Sequence, residues 1–162
     1  MTEKSRYFEE LNVGEEYRSQ TRTIAECDLY TFAGLTGDLT DFHISTEAAK
    51  KSVFGQRPAH GMLLVSIANG LFNRIGITDE TGMALAGIEW RFFRPGFIGD
   101  TVHLVVSVES KREVAKQDRG LVFWKASLRN QREEVVCEGR MIRMVRRLDE
   151  ARPQGAGARP AP

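Results

Sequence analysis

The sequence is poor in cysteine, has no excess of charge of one sign and contains no long apolar run. Its two cysteines, Cys27 and Cys137, lie far apart and outside any CxxC pair, so they give neither a disulfide framework nor a zinc signature. The 23 basic and 22 acidic residues leave a net charge of +1. This balance gives no electrostatic reason to expect a nucleic acid or an anionic membrane as partner.

Signals for membrane insertion or secretion are also missing. The longest apolar stretch, MLLVSIANGLF, is too short and too interrupted to span a bilayer. The first residues, MTEKSRYFEELNVGEEY, are charged and lack the apolar segment of a signal peptide. With no disulfide framework either, we expect a cytoplasmic protein that does not bind membranes.

What the chain does have is the composition of one soluble domain. It has 162 residues, of which 41% are hydrophobic and 28% are charged. We expect a single domain over residues 1–148. Residues 149–162 are rich in proline, glycine, alanine and arginine and cannot bury enough apolar surface to fold, so we predict a disordered tail.

The apolar pattern predicts an α+β fold. A first strand is expected in EEYRSQTRTI, and short helices are expected in AECDLYTFAGLT and STEAAKKSV, the latter capped by Ser45 or Thr46. The segment AHGMLLVSIANGLFNRIG is apolar on most faces, which indicates a buried helix. Four alternating segments follow it. A helix followed by a run of strands predicts a mostly antiparallel sheet, which must curl around the helix to cover it.

Alternation within the strands predicts which side chains are buried. Residues 84, 86, 88, 90 and 92 should share one apolar face of the segment ALAGIEWRFF. Trp124 and Cys137 should lie in the core. His103 falls on the polar face of TVHLVVSVE and should be exposed to solvent.

The stretch AGLTGDLTDFHIS contains the first candidate site. Asp38 and His43 lie five positions apart in a glycine-rich segment between two short helices. An aspartate and a histidine that converge on one point supply a base and an acid. From spacing alone, a solvated loop whose aspartate caps the next helix is the more common explanation.

The segment RPAHGML marks the start of the buried helix. The backbone N–H of Gly61 would be unpaired there and could stabilise a phosphate or a developing oxyanion, with His60 beside it. Alternatively, Gly61 only permits close packing. Asn69, two turns further along, could orient a catalytic carboxylate or satisfy a core backbone group. No pair of histidines has the spacing of metal ligands.

The order of four segments carries a family resemblance. GDLTDFH, FGQRPAHGML, FFRPGFIGDTV and NQREEVVCEGR follow one another as in the MaoC-like hydratases, which the chain resembles over roughly Val13 to Arg146. These are the (R)-specific enoyl-CoA hydratase group of the hotdog superfamily. The resemblance implies a long central helix wrapped by a curved antiparallel sheet. It also implies a homodimer with each active site near the subunit interface.

The resemblance also implies an activity. This is reversible addition of water to a trans-2-enoyl thioester, giving an (R)-3-hydroxyacyl thioester. Asp38 would activate the water, His43 would exchange a proton with the substrate, and the Gly61 N–H would hold the thioester oxygen. Asn69 falls where related enzymes place a polar residue that orients the aspartate. No metal or redox cofactor is implied, because the CoA or acyl-carrier thioester belongs to the substrate.

Arg57 and Arg94 are candidates for binding CoA phosphates, although surface arginines are common.

Two positions depart from the family pattern GDxNPxH, since Thr40 and Asp41 replace the asparagine and the proline. The Thr40 hydroxyl can replace only part of the hydrogen bonding of the lost amide. An inward Asp41 would raise the apparent pKa of the catalytic pair, whereas an outward one would change little. Two alternatives therefore stay open: a hotdog acyl-CoA thioesterase, and a non-catalytic subunit that binds acyl thioesters.

Overall fold

The computed structural model describes residues 5–116 and 118–148, so the predicted disordered tail lies outside the described residues. The helices are α1 (Glu26–Thr36), α2 (Asp41–Ile44), α3 (Thr46–Lys51) and α4 (Gly61–Ile75). The strands are β1 (Glu16–Arg18), β2 (Arg22–Thr23), β3 (Gly82–Phe92), β4 (Thr101–Glu113), β5 (Arg119–Arg129) and β6 (Val135–Arg146). Among these described helices, none is long and apolar enough to cross a membrane.

The strands form one antiparallel sheet in the order β1-β4-β5-β6-β3, and β2 also pairs with β4. The predicted antiparallel α+β architecture is therefore confirmed. Among the described residues, strand β3 has only β6 as a neighbour and lies at the edge of the sheet. The backbone of β3 is consequently unpaired along its other side.

Helix α4 packs its apolar side against the inner face of the sheet, as its sequence predicts. The Phe72 ring of α4 meets the Trp124 ring of β5 edge-on, with 5.0 Å between centroids, and Trp124 is completely buried. Cys137 is completely buried too, and this burial raises the pKa of its thiol to about 12. The Ser45 hydroxyl caps α3 by accepting a hydrogen bond from the Ala48 N–H, as predicted.

Three details differ from the sequence prediction. The first strand is broken into β1 and β2, because the Ser19 hydroxyl takes the place of a backbone carbonyl and accepts from the Leu104 N–H at 2.9 Å. The prediction that His103 is exposed is wrong, since it is only 2% exposed and its Nε2 lies 3.4 Å from the Glu133 carboxylate. The loop that carries Glu133 covers this outer face of β4. Burial of His103 lowers the pKa of its imidazole.

The third difference concerns the apolar face of β3. The strand has an irregularity between Leu85 and Gly87, which shifts the alternation by one residue. Ile88 stands opposite Met141, a core residue, whereas Leu85 stands opposite Arg143. The inner face of β3 therefore runs through residues 85, 88, 90 and 92 and excludes residues 84 and 86. Much of this face is exposed, because β3 is an edge strand.

Candidate active site

Asp38 lies immediately after α1, where the chain reverses. Gly37 ends the helix in the left-handed region with φ 76°, and its N–H binds the Ala33 carbonyl at 2.8 Å. The Asp38 N–H then donates to the Thr36 hydroxyl at 3.2 Å. This tight reversal presents the Asp38 carboxylate at the surface, just ahead of α2.

Thr40 holds one oxygen of that carboxylate. Its hydroxyl donates to Asp38 Oδ1 at 2.6 Å, and its backbone N–H donates to the same oxygen at 3.3 Å. The hydroxyl bond is the main reason that the pKa of Asp38 is lowered, and the nearby imidazoles of His60 and His43 lower it further. Asp38 is therefore a carboxylate at neutral pH, and its second oxygen makes no hydrogen bond within the described residues.

Asp41 points away from this arrangement. It begins the single turn α2 and is exposed. Its carboxylate does not join the group of ligand atoms formed by Asp38, His43 and His60. Of the two orientations that the sequence left open, the outward one is observed, and Asp41 does not lie beside the catalytic candidates.

His43 is a buried residue of α2 whose tautomer is set by the backbone. Its Nδ1 lies 2.8 Å from the Pro58 carbonyl oxygen. A carbonyl can only accept, so Nδ1 carries the hydrogen and donates it. Burial is the largest influence on the imidazole and lowers its pKa. At neutral pH, His43 is therefore uncharged, with a free lone pair on Nε2.

His60, the residue before α4, packs directly on His43. The two imidazole rings are stacked at 3.9 Å between centroids and 26° between planes. His60 is 1% exposed, and its Nε2 donates to the Asp38 backbone carbonyl at 3.0 Å. This one side chain thus ties the segment that carries Asp38 to the start of α4 and supports the ring of His43.

Together these contacts bring the predicted pair into one cluster. Ligand atoms of Asp38, His43 and His60 all lie within 4.8 Å of one another. A carboxylate next to a neutral imidazole is an acid–base pair. The same three residue types can bind a divalent metal, and their ligand atoms lie close enough together to share one ion. That no metal takes part stays a prediction.

Gly61 begins α4 next to this cluster. His60 makes no side-chain cap, and the N–H of Gly61 finds no acceptor among the described residues, so it remains available to a ligand. The glycine permits close packing, because a Cβ at this position would lie 3.2 Å from the Phe92 ring at the end of β3. Both sequence interpretations of Gly61 therefore hold: it permits close packing and leaves a free donor.

The structure does not bring Asn69 to Asp38. Asn69 Oδ1 instead accepts a hydrogen bond from the Arg143 guanidinium at 2.5 Å. The predicted role of Asn69 in orienting the aspartate has no counterpart among the contacts of the described chain.

The two predicted phosphate-binding arginines already have partners. Arg57 forms an ion pair with Glu26, and it donates to the Tyr30 hydroxyl at 2.8 Å. Arg94 is half exposed, and its Nε lies 3.7 Å from the Glu134 carboxylate. These contacts disfavour phosphate binding by Arg57 in particular, since its charge is already neutralised. The phosphate-binding role of both residues stays a prediction.

The fold and the site define a class of protein: a hotdog-type domain with a carboxylate and an imidazole clustered at the amino end of its central helix. The sequence profile of the MaoC-like domain matches residues 9–126. The chain belongs to the MaoC-like domain family, whose members include named hydratases and dehydratases.

Curated relatives support this assignment. The chain is 38% identical to protein MaoC of Klebsiella aerogenes over 115 residues, which are 70% of this chain and 33% of that protein. The chain thus matches only about a third of the length of the Klebsiella protein. It is 34% identical over 102 residues to an (R)-specific enoyl-CoA hydratase of Rhodospirillum rubrum, covering 63% of this chain and 69% of that protein.

Solved structures agree with the fold. The MaoC-like dehydratase from Rhodospirillum rubrum has a TM-score of 0.80 and 27% identity, covering 90% of this chain and 99% of that one. A Mycobacterium tuberculosis protein with a double hotdog fold has a TM-score of 0.76 at 17% identity, covering 98% of this chain and 52% of that one. This second likeness shows the fold alone, and the predicted hotdog architecture is confirmed.

Proposed function

We propose that the protein is a hydro-lyase that interconverts a trans-2-enoyl-CoA and the corresponding (R)-3-hydroxyacyl-CoA. One observation carries the proposal: the Asp38 carboxylate and the His43 imidazole converge beside the free N–H of Gly61. The names of relatives as hydratases and dehydratases support the reaction type, and the (R)-specific name of one of them supports the stereochemistry.

Hydration places charge on the thioester oxygen, because attack of water at the β-carbon turns the thioester into an enolate. In the proposed mechanism the Gly61 N–H, at the positive end of the α4 dipole, donates to that oxygen. The Asp38 carboxylate takes a proton from the attacking water. His43 gives a proton from Nε2 to the α-carbon, since its Nδ1 hydrogen is held by Pro58.

This scheme requires the pair to hold one proton in total. In hydration, Asp38 is ionised and His43 carries a proton on Nε2, a form that it takes up as the pH falls below its lowered pKa. In dehydration, Asp38 is protonated and neutral His43 accepts the α-proton. After hydration, the proton that Asp38 has taken from water returns to His43, which restores the starting state of the pair. The reaction adds or removes water without a change of oxidation state, so it needs no redox cofactor, and the proposal assigns no step to a metal.

A second copy of the chain is part of the proposal. In a single copy of the chain Asp38 is exposed to solvent, whereas stabilisation of the enolate benefits from a site that excludes water. The unpaired edge strand β3 exposes Leu85, Ile88 and Phe92 by 45–50%. An edge with exposed apolar side chains suits pairing with another copy. We therefore propose a homodimer formed along β3, for which light scattering should give twice the mass of the chain.

The reaction is tested with a panel of trans-2-enoyl-CoA substrates. Loss of the conjugated enoyl absorbance reports hydration, and a thiol reagent in parallel reports thioester cleavage. Hydration without thiol release supports the hydro-lyase. Thiol release without hydration would instead establish a thioesterase, and binding without either reaction would establish a non-catalytic subunit.

A further inference from the structure

One arginine lies at a core-facing position without an acidic partner. Arg143 of β6 is two residues from Met141 and two from Val145, both buried, so it points towards α4. Its guanidinium carbon lies 3.9 Å from the centre of the Phe72 ring. Across the described residues, no carboxylate lies within ion-pair distance of it.

The hydrogen bonds of Arg143 leave part of its guanidinium unused. It donates to Asn69 Oδ1 at 2.5 Å and to Asn73 Oδ1 at 3.1 Å, both neutral acceptors on α4. Its Nε is buried and has no partner within the described chain. Burial lowers the pKa of Arg143 to about 10, which still leaves it cationic at neutral pH. A desolvated cation with an unpaired donor is costly unless an anion completes its surroundings.

Arg143 also lines a cavity of about 340 Å³. Asn73 and Leu85 lie on two sides of this cavity, at the carboxyl end of α4 and the amino end of β3. The one acid that lines it, Asp79, is exposed and does not pair with Arg143. The cavity therefore offers an anion a cationic group and room to enter.

This cavity and the acid–base pair lie at opposite ends of the same strip of surface. At one end Phe92 of β3 packs over Gly61, and at the other Leu85 stands opposite Arg143. Between these ends, α4 presents one less buried row of side chains at helical spacing. This row consists of Met62, Ser66, Asn69 and Asn73. From Gly61 to Asn69 the helix rises about 12 Å, at 1.5 Å per residue.

We propose that Arg143 binds a carboxylate at the distal end of the acyl chain, so that the preferred substrates are CoA thioesters of unsaturated dicarboxylic acids. This inference rests on the proposed function. With the thioester oxygen at Gly61, the acyl chain would lie along the row on α4 and end at Arg143. Arg143 lines the cavity, and a planar guanidinium suits charge-assisted hydrogen bonds to a carboxylate.

The test compares two trans-2-enoyl-CoA series of matched length, one ending in a methyl group and one in a carboxylate. In the wild-type protein, kcat/KM should be about tenfold higher for the carboxylate series than for the methyl series, at the acyl-chain length that gives the highest value. Arg143→Gln should remove this preference and leave kcat/KM for the methyl series within about twofold of the wild-type value. Arg112→Gln is the matched control, because Arg112 also lies over a phenylalanine ring in the sheet, at 5.7 Å from Phe123.

Other results would overturn the proposal. If Arg143→Gln lowers kcat/KM equally for both series, Arg143 binds the CoA phosphates instead. If the same loss is accompanied by dissociation of a dimer, Arg143 pairs with an acid of a second copy. No preference in wild type at any length would also contradict it. Calorimetry with saturated acyl-CoA analogues separates this inference from the proposed function. An Arg143-dependent preference in binding, without turnover, would support the carboxylate site while refuting the hydro-lyase.

Discussion

The Thr40 hydroxyl donates a 2.6 Å hydrogen bond to Oδ1 of Asp38, across a single intervening residue. At this position the family pattern has an asparagine, and in this chain the threonine supplies a hydroxyl donor to the aspartate. The contact holds the carboxylate in place and lowers its pKa. A threonine here is therefore compatible with a working site and does not by itself indicate a lost one.

Replacing Thr40 tests this relationship. Thr40→Val removes the hydroxyl donor and keeps the shape, so the pKa of Asp38 should rise and kcat/KM for hydration should fall roughly three- to tenfold. The acid limb of the pH profile should move to higher pH. Thr40→Ser keeps the donor and should stay near wild type. Equal activity of the valine and serine variants, with unchanged profiles, would show that the hydroxyl has no catalytic importance.

The pH dependence of the reaction follows from the two lowered pKa values. The active pair holds one proton, so kcat/KM should fall as pH rises through the pKa of His43, which burial places below its usual 6.5. It should fall again at low pH, where Asp38 becomes protonated. Hydration neither releases nor consumes protons, so both directions should share one profile. Steady-state rates from pH 4 to 9 check this, and a rate that climbs steadily to pH 9 would refute the two-group scheme.

A methyl group at Gly61 should impair the oxyanion site. In Gly61→Ala the new Cβ would lie 3.2 Å from the Phe92 ring, beside the N–H that receives the thioester oxygen. We expect kcat to fall about 10²-fold, the cost of disturbing one oxyanion donor. The matched control is Gly70→Ala in the same helix, where a Cβ would meet nothing within 4 Å. Similar kcat values for the two variants would contradict the assignment of Gly61.

Much of the fold could be predicted from the sequence, because alternation and helical periodicity report burial directly. The long helix, the four main strands and the serine cap of α3 were all predicted. The sequence could not show that a bulge after Leu85 changes the inner face of β3. The burial of His103 was also missed, because it depends on a loop from a distant part of the chain that covers a polar strand face.

The candidate site was predicted only in part. Asp38 and His43 were identified through the resemblance, since residues five apart in a loop converge only if the chain folds back. The support from Thr40, His60 and the Pro58 carbonyl depends on three-dimensional contacts. Arg143 was missed, although a signal was present. It continues the alternation of Met141 and Val145, and a charge at a core-facing strand position points to a special role.

The central claim is that Asp38 and His43 are the acid–base pair, and hydration of a trans-2-enoyl-CoA by matched variants tests it most directly. Asp38→Asn and His43→Gln should each lower kcat/KM by about 10²- to 10⁴-fold, with circular dichroism spectra like that of wild type. Glu47→Gln, an exposed acid in the first turn of α3, should leave the rate unchanged. Folded Asp38→Asn and His43→Gln proteins that hydrate the substrate at near wild-type rates would contradict the account.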